Sequence, residues 1–370
     1  MITRAAIQTL RHFGWASSGH SSRKQQAKRA SRQRARRVAD GCPEGMSDAT
    51  VRLEGDRLGP PPASSRAAFA KQALWALAFT LGVILFGAVV RITGSGAGCG
   101  QHWPTCQGEV LHLPRKLTTL IELTHRITSG SSAILVFWLT VRAFRVFRAG
   151  SAVRKATAAA SALMIVEALI GAVLVRLALV ADNASAARAM VMSLHLVSTS
   201  ALTASLGLAA WWSLPSVGTP TAAARALFRF ALASACLVVV VSASGAVTAL
   251  GDTVYPVRQG ALGARLAEIE SPTAHFLERL RVVHPVLAVG TALALIALAA
   301  RTSDRGFTRA TRTFGKAVLG LCVAQIALGS VNVLLSAPGS LQVVHLLVAS
   351  LLWLALVLLS AELAAPRSSA

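Results

Sequence analysis

The feature that most constrains this chain is a succession of eight apolar runs, near residues 73–92, 120–141, 156–175, 190–212, 228–250, 280–300, 317–335 and 343–363. A helix of about 20 apolar residues crosses the roughly 30 Å hydrocarbon core of a bilayer. The expected fold is therefore all-α: an integral membrane protein with eight transmembrane helices, arranged as two pseudo-symmetric four-helix bundles. Composition agrees, since charged residues make up only 14% of the chain, against roughly 25% in soluble domains. A formal net charge of +22 raises nucleic acid as a partner. The basic residues argue against it, because they lie in an N-terminal tail and in short connections, where they act as topology signals. The lipid bilayer is the expected surrounding, and no nucleic acid is expected.

The connections orient the spans. Arg142, Arg145, Arg148, Arg154 and Lys155 crowd the second connection, and Arg301, Arg305, Arg309, Arg312 and Lys316 the sixth. The first carries Arg115 and Lys116, the third Arg188, and the seventh no basic residue. Cytoplasmic loops carry the excess of Lys and Arg, so both termini are expected in the cytoplasm and the first connection outside. A bacterial cytoplasmic membrane is the first expectation, a mitochondrial inner membrane the second. Residues 1–70 form a basic tail too polar to bury a core, or reflect a misassigned start, with Met46 as the alternative. The remaining divisions are a first bundle at 71–213, a cytoplasmic linker at 214–227, a second bundle at 228–363 and a tail at 364–370.

An internal repeat underlies the two bundles. Gly87-Ala88-Val89 is answered by Gly245-Ala246-Val247, His125 by His284, Gly171 by Gly329 and His195 by His345. An even number of spans per half makes the repeats parallel. The four histidines lie on the second, fourth, sixth and eighth spans, at matched depth. Ionisable groups inside a bilayer are costly and point to function. A lone histidine there is most simply a hydrogen-bonding group between helices. Four, paired by a repeat, fit axial ligation of haem iron, one pair per bundle. Zinc or copper is the weaker reading, since no cysteine or carboxylate cluster completes such a site in the second half.

Glu122 precedes His125 on one helix face, and its counterpart is Arg281, so the halves are chemically unequal. It is either a proton-transfer or charge-stabilising group, or a hydrogen-bonding brace. Arg91, Arg126 and Arg176 stand at span edges. Their guanidinium forks suit haem propionates, and snorkelling to the headgroups is the alternative. Cys99 and Cys106 share the first connection, where an oxidising compartment favours a disulfide, structural or exchanging.

These residues resemble a known family. Arg91-Ile92-Thr93-Gly94-Ser95-Gly96, followed by Cys99-Gly100-Gln101-His102-Trp103-Pro104-Thr105-Cys106, is similar to the first external loop of the haem A synthases. Glu122-Leu123-Thr124-His125-Arg126 resembles their Glu-x-x-His-Arg motif. The resemblance implies oxidation of the C8 methyl of haem O to a formyl group, by successive hydroxylations, to supply haem A to terminal oxidases. It implies that His284 and His345 bind the iron of a haem b cofactor. His125 and His195 bind the substrate haem iron, with Arg91 and Arg126 at that site, and Glu122 is catalytic. Cys99 and Cys106 become a redox or substrate-transfer pair. Implied partners are a haem O synthase, an unnamed electron donor and cytochrome oxidase assembly factors; a homo-oligomer stays open. The chain departs from the pattern in having Pro285 after His284, and no cysteine from 251 to 280. Two rivals remain: a di-haem b-type electron-transfer cytochrome, and a haem-handling transporter or chaperone.

Overall fold

The structure, a computed structural model, describes residues 61–110, 113–215, 220–256, 272, 274–304 and 306–365. Eight of the described helices are long and apolar enough to cross a membrane: α1 (Ala63–Ile92), α2 (Leu117–Val146), α3 (Ala152–Arg176), α4 (Ala186–Ser213), α5 (Ala222–Val254), α6 (Phe276–Arg301), α7 (Arg309–Leu334) and α8 (Gly339–Ala364).

Local sequence sets the helix ends. Ser151, Ser185, Thr221 and Thr308 cap α3, α4, α5 and α7, each side chain accepting a hydrogen bond from the backbone N–H three residues on. Such caps satisfy donors that would otherwise be orphaned. α6 opens as a single α-turn, tightens to a 3-10 turn over Leu280–Val282, and becomes regular from Val283. Pro285 has no N–H to return to the preceding turn, so the helix cannot run through this point with normal spacing.

Two expected boundaries move. Helix α1 starts at Ala63, so residues 63–70 belong to the bundle and not to the tail; Phe69 and Ala70 are buried there. Helix α5 starts at Ala222, which shortens the 214–227 linker. In both cases the apolar run ends before the helix does. Backbone bonding continues through Ser64, Ser65, Arg66 and Lys71, polar residues that a hydropathy window discards. Residues 1–60 with Met46, most of the fifth connection and residues 366–370 lie outside the described residues.

Helices α1–α4 close a ring in which α1 packs on α2 and α4, and α3 on α2 and α4; α5–α8 close a second ring in the same order. The rings meet where α4 touches α5 and α8, and α8 touches α1. Trp353 Nε1 donates to Ser200 O at 2.8 Å across this seam.

The larger apolar cluster of each ring lies at one end, with smaller ones around Ile170, Leu174 and Leu179 and around Ala189, Leu250 and Leu277 at the other. Phe69, Ala73, Ala76, Val136, Leu139, Ala160, Leu202 and Leu206 pack where α1 and α3 begin and α2 and α4 finish. Leu227, Ala231, Leu295, Leu298, Val318, Leu356 and Leu359 do the same in the second ring. At the other end the pattern changes. Residues 83–89 of α1 and 241–249 of α5 are half-buried on every side of the helix. A helix with one packed and one lipid-facing side alternates between buried and exposed. Uniform half-burial means that the inward side is not sealed by side chains. All four histidines lie at this open end.

Candidate functional site

His125 on α2 and His195 on α4 occupy opposite corners of the first ring, within electrostatic range of each other. His284 on α6 and His345 on α8 do the same in the second. All four are half-buried.

A glycine on the neighbouring helix backs three of the four imidazoles. A Cβ added at Gly87 would lie 3.1 Å from His125 Cε1, one at Gly245 only 2.9 Å from His284 Cε1, and one at Gly329 3.3 Å from His345 Cε1. At 2.9 Å something must shift, and at 3.1 and 3.3 Å the ring must give by a few tenths of an ångström, so glycine lets these three rings lie close against helix backbone. Gly171 on α3 faces open space.

The ring nitrogens differ in their partners. His284 Nδ1 is 3.0 Å from Val241 O and 3.1 Å from Ser244 Oγ. Donation from Nδ1 to the carbonyl leaves Nε2 free as a ligand, the usual arrangement for a metal-binding histidine. His125 Nδ1 and His345 Nδ1 are buried without a partner, and buried polar atoms seldom stay so. His195 Nδ1 lies 2.8 Å from Glu167 Oε2 on α3, at ion-pair distance though not in hydrogen-bond alignment. That same oxygen accepts from Thr199 Oγ1 at 2.6 Å. His345 Nε2 lies 2.9 Å from Gln325 Nε2 on α7.

Glu167 and Gln325 are not among the sequence-derived candidates. Two signals mark them. Glu167 is a carboxylate inside an apolar run, and the step from 167 to 325 equals the 158-residue step from Gly171 to Gly329.

Glu122 turns toward the first connection. Its Oε2 accepts from the Cys99 N–H at 2.8 Å, and its Oε1 from Arg126 Nη2 at 2.5 Å. Arg126 Nη1 in turn donates to His102 O at 2.6 Å and Thr105 O at 2.5 Å. Thr119 Oγ1 donates to Gly98 O at 2.9 Å, and a Cβ at Gly98 would strike the Thr118 carbonyl at 2.5 Å. The connection, closed by the Cys99–Cys106 disulfide, is thus pinned onto the start of α2 beside His125.

Arg91 reaches across the seam. It donates to Ala249 O at 2.6 Å and to Thr253 Oγ1 on α5, and to Gln342 Oε1 at 2.9 Å on α8. Arg176 is exposed at the end of α3. In the second half Arg281 Nε lies 2.9 Å from Asp252 Oδ1, and its Nη2 donates to Gly251 O and Tyr255 O.

Among the described residues no three His, Cys, Asp or Glu side chains gather as a bare metal ion would require. Paired imidazoles, three glycine-backed rings and partnerless ring nitrogens would suit haem held by its iron. They fit it in both halves.

The chain matches the model of the family described as cytochrome oxidase assembly protein, COX15-CtaA, over residues 70–357. A protein named protoheme IX farnesyltransferase from Thermus thermophilus is 42% identical over 287 residues, covering 75% of this chain and 45% of that relative. Proteins named heme A synthase from Bacillus mycoides and Bacillus cereus are 39% identical over 90 residues, covering 24% of this chain and 29% of each relative. The match to each of these relatives thus spans less than half of the relative's own length.

Proposed function

This chain belongs to the COX15-CtaA family of cytochrome oxidase assembly proteins, and on that premise we propose that it makes haem A, oxidising the C8 methyl of haem O to a formyl group by successive hydroxylations. Its eight apolar helices make it an integral membrane protein. The observation that carries the reading is the repeated seat in which Gly87 backs His125 and Gly245 backs His284. It supports one haem per bundle, on rings that share a design.

In this proposal His284 and His345 hold a resident haem b, and His125 and His195 hold the substrate. Bound haem supplies the oxidising power that amino-acid side chains lack. The protein's own part is orientation and electrostatics. Val241 and Ser244 fix the tautomer of His284. Glu122 serves the first site through Arg126 and the Cys99 N–H, holding the disulfide-closed connection over the histidine end of α2. Arg126 and Arg91 would offer guanidinium charge to haem propionates. Arg91, bonded to α5 and α8, also ties the two sites together. The Lys/Arg-rich connections support cytoplasmic termini, the Cys99–Cys106 connection outside, and a bacterial cytoplasmic membrane. Cys99 and Cys106 are suited there to exchange with an external thiol. The name of the Thermus relatives fits a partner that prenylates the haem before this chain receives it. No prenyl transfer is assigned here, because more than half of those relatives lies outside the match.

The second reading is a two-haem electron-transfer cytochrome, favoured by the shared seat. Glu122 and Glu167, which have Arg281 and Gln325 at the matching places in the second half, speak against it. The test is expression in a host that makes haem O but not haem A, followed by chromatography of extracted haems with mass detection. Haem A is expected, and Glu122→Ala reduces it or leaves a hydroxylated intermediate. Haem B and haem O alone, in a host where a known synthase works, overturn the proposal.

A further inference from the structure

We propose that Glu167 sets the donor strength of His195, so that the haem in the first bundle is the more easily oxidised of the two, and that the Glu167/Gln325 difference is what makes one repeat reactive and the other a relay. The inference rests on the haem-ligand reading above and adds a residue that the reading does not use.

The two positions are equivalent in the repeat. Residues 167 and 325 stand one helical turn before Gly171 and Gly329, on the third helix of each ring, and each faces the histidine of the fourth. Two differences separate them: a carboxylate at 167 against an amide at 325, and the ring nitrogen each meets, Nδ1 of His195 for Glu167 and Nε2 of His345 for Gln325. Glu167 is 13% exposed in its side chain. Oε2 is shared between Thr199 and the imidazole, while Oε1 is buried without a partner. Thr199 fixes the carboxylate and leaves it aimed at Nδ1; a modest rotation of the ring aligns the pair. At the corresponding place α8 carries alanine, Ala349, so Gln325 has no such brace.

A carboxylate behind Nδ1–H does two things to a metal-binding histidine. It selects the tautomer that leaves Nε2 for the iron, and it makes the ring a stronger donor. Stronger donation favours the ferric state and lowers the reduction potential, one of the few levers a protein holds over a haem. Gln325 adds no charge and meets Nε2, so His345 Nδ1 has no such group behind it. The haem in the first bundle is then the more electron-rich of the two, and an electron passes from it to the second haem more readily than in reverse. Glu167 acts through His195 and is a positioning residue.

The experiment uses full-length protein in detergent, reconstituted with protohaem and titrated potentiometrically with optical and EPR detection. His195→Ala identifies the first-bundle haem as the one that is lost. Glu167→Gln is expected to raise the midpoint of that haem alone, by at least a tenfold change in the ferrous-to-ferric ratio, about 59 mV for one electron. Thr199→Val, which frees Glu167 Oε2 from its hydroxyl partner, is expected to lower the midpoint of the same haem. If Glu167→Gln costs the protein its haem, the Thr199→Val shift decides. Unmoved midpoints in both variants, with only haem content or thermal stability changed, reduce Glu167 to a mechanical brace and overturn the inference. Retention of both haems in His195→Ala overturns the ligand reading itself, a failure that shows before any potential is compared.

Discussion

In the first bundle, a carboxylate stands at His195 and a second carboxylate, Glu122, pins the first connection beside His125. In the second, an amide stands at His345, and the ion pair Arg281–Asp252 ties α6 to the end of α5. The seats for the rings are nevertheless alike on the first two helices of each ring, with glycine behind the histidine of the second; on the third helix Gly329 backs His345, while Gly171 faces open space. The comparison teaches that shape and charge have separated in this repeat. Shape is common and suits one kind of ligand. Charge differs at positions 122 and 167, and that is where two like sites can acquire different chemistry.

The largest effect that sharpens this comparison is expected at Glu122. The Glu122–Arg126 pair is almost wholly buried, and removing one partner of such a pair leaves an uncompensated charge, at a cost of about 3–5 kcal/mol. Glu122→Ala should therefore lower the melting temperature in detergent and open the 93–116 segment to limited proteolysis. The same truncation at Asp252 should leave that segment protected. Equal cleavage of both variants would mean that the connection is held by other contacts.

Next comes Arg91, a first-half residue whose bonds all go to the second half. Arg91→Met should destabilise the seam by about 1.5–3 kcal/mol, the range for hydrogen bonds to a charged group. Differential hydrogen exchange should place the loss at Ala249, Thr253 and Gln342 and leave the two ring interiors unchanged.

The smallest effect tests the shared seat. Overpacking a tight site costs about 1–3 kcal/mol, roughly five- to 150-fold in affinity. Haem retention should fall most for Gly245→Ala, less for Gly87→Ala and least for Gly329→Ala, following contacts of 2.9, 3.1 and 3.3 Å; Gly171→Ala should be neutral. Any other order breaks the claim that these glycines serve the rings.

The spans, the repeat and the histidines are legible in the sequence because each is a one-dimensional signal: an apolar run, a recurring spacing, an ionisable residue where lipid disfavours one. Glu122 shows where such signals stop. Its spacing from His125 places both on one helix face, yet the carboxylate bends to Cys99 and Arg126, because the connection that supplies the N–H folds back over α2. Arg91 is similar. At a span edge it reads as a propionate or headgroup contact; its partners are 158 to 251 residues away and appear only when the rings are docked. Glu167 was accessible in principle, through the 158-residue step it shares with Gly171, but a glutamate within an alanine-rich helix attracts less notice than a histidine. The start of α1 escaped because a helix keeps its hydrogen bonds where its side chains turn polar.

The most direct test of the unequal-pair account is haem analysis of two double variants, expressed with a supply of haem O. His284→Ala with His345→Ala should abolish the resident haem b and, with it, haem A. His125→Ala with His195→Ala should keep the resident haem b, with its spectrum intact, and make no haem A. Loss of haem b from the first-bundle variant, with haem b retained in the second-bundle variant, would contradict the account.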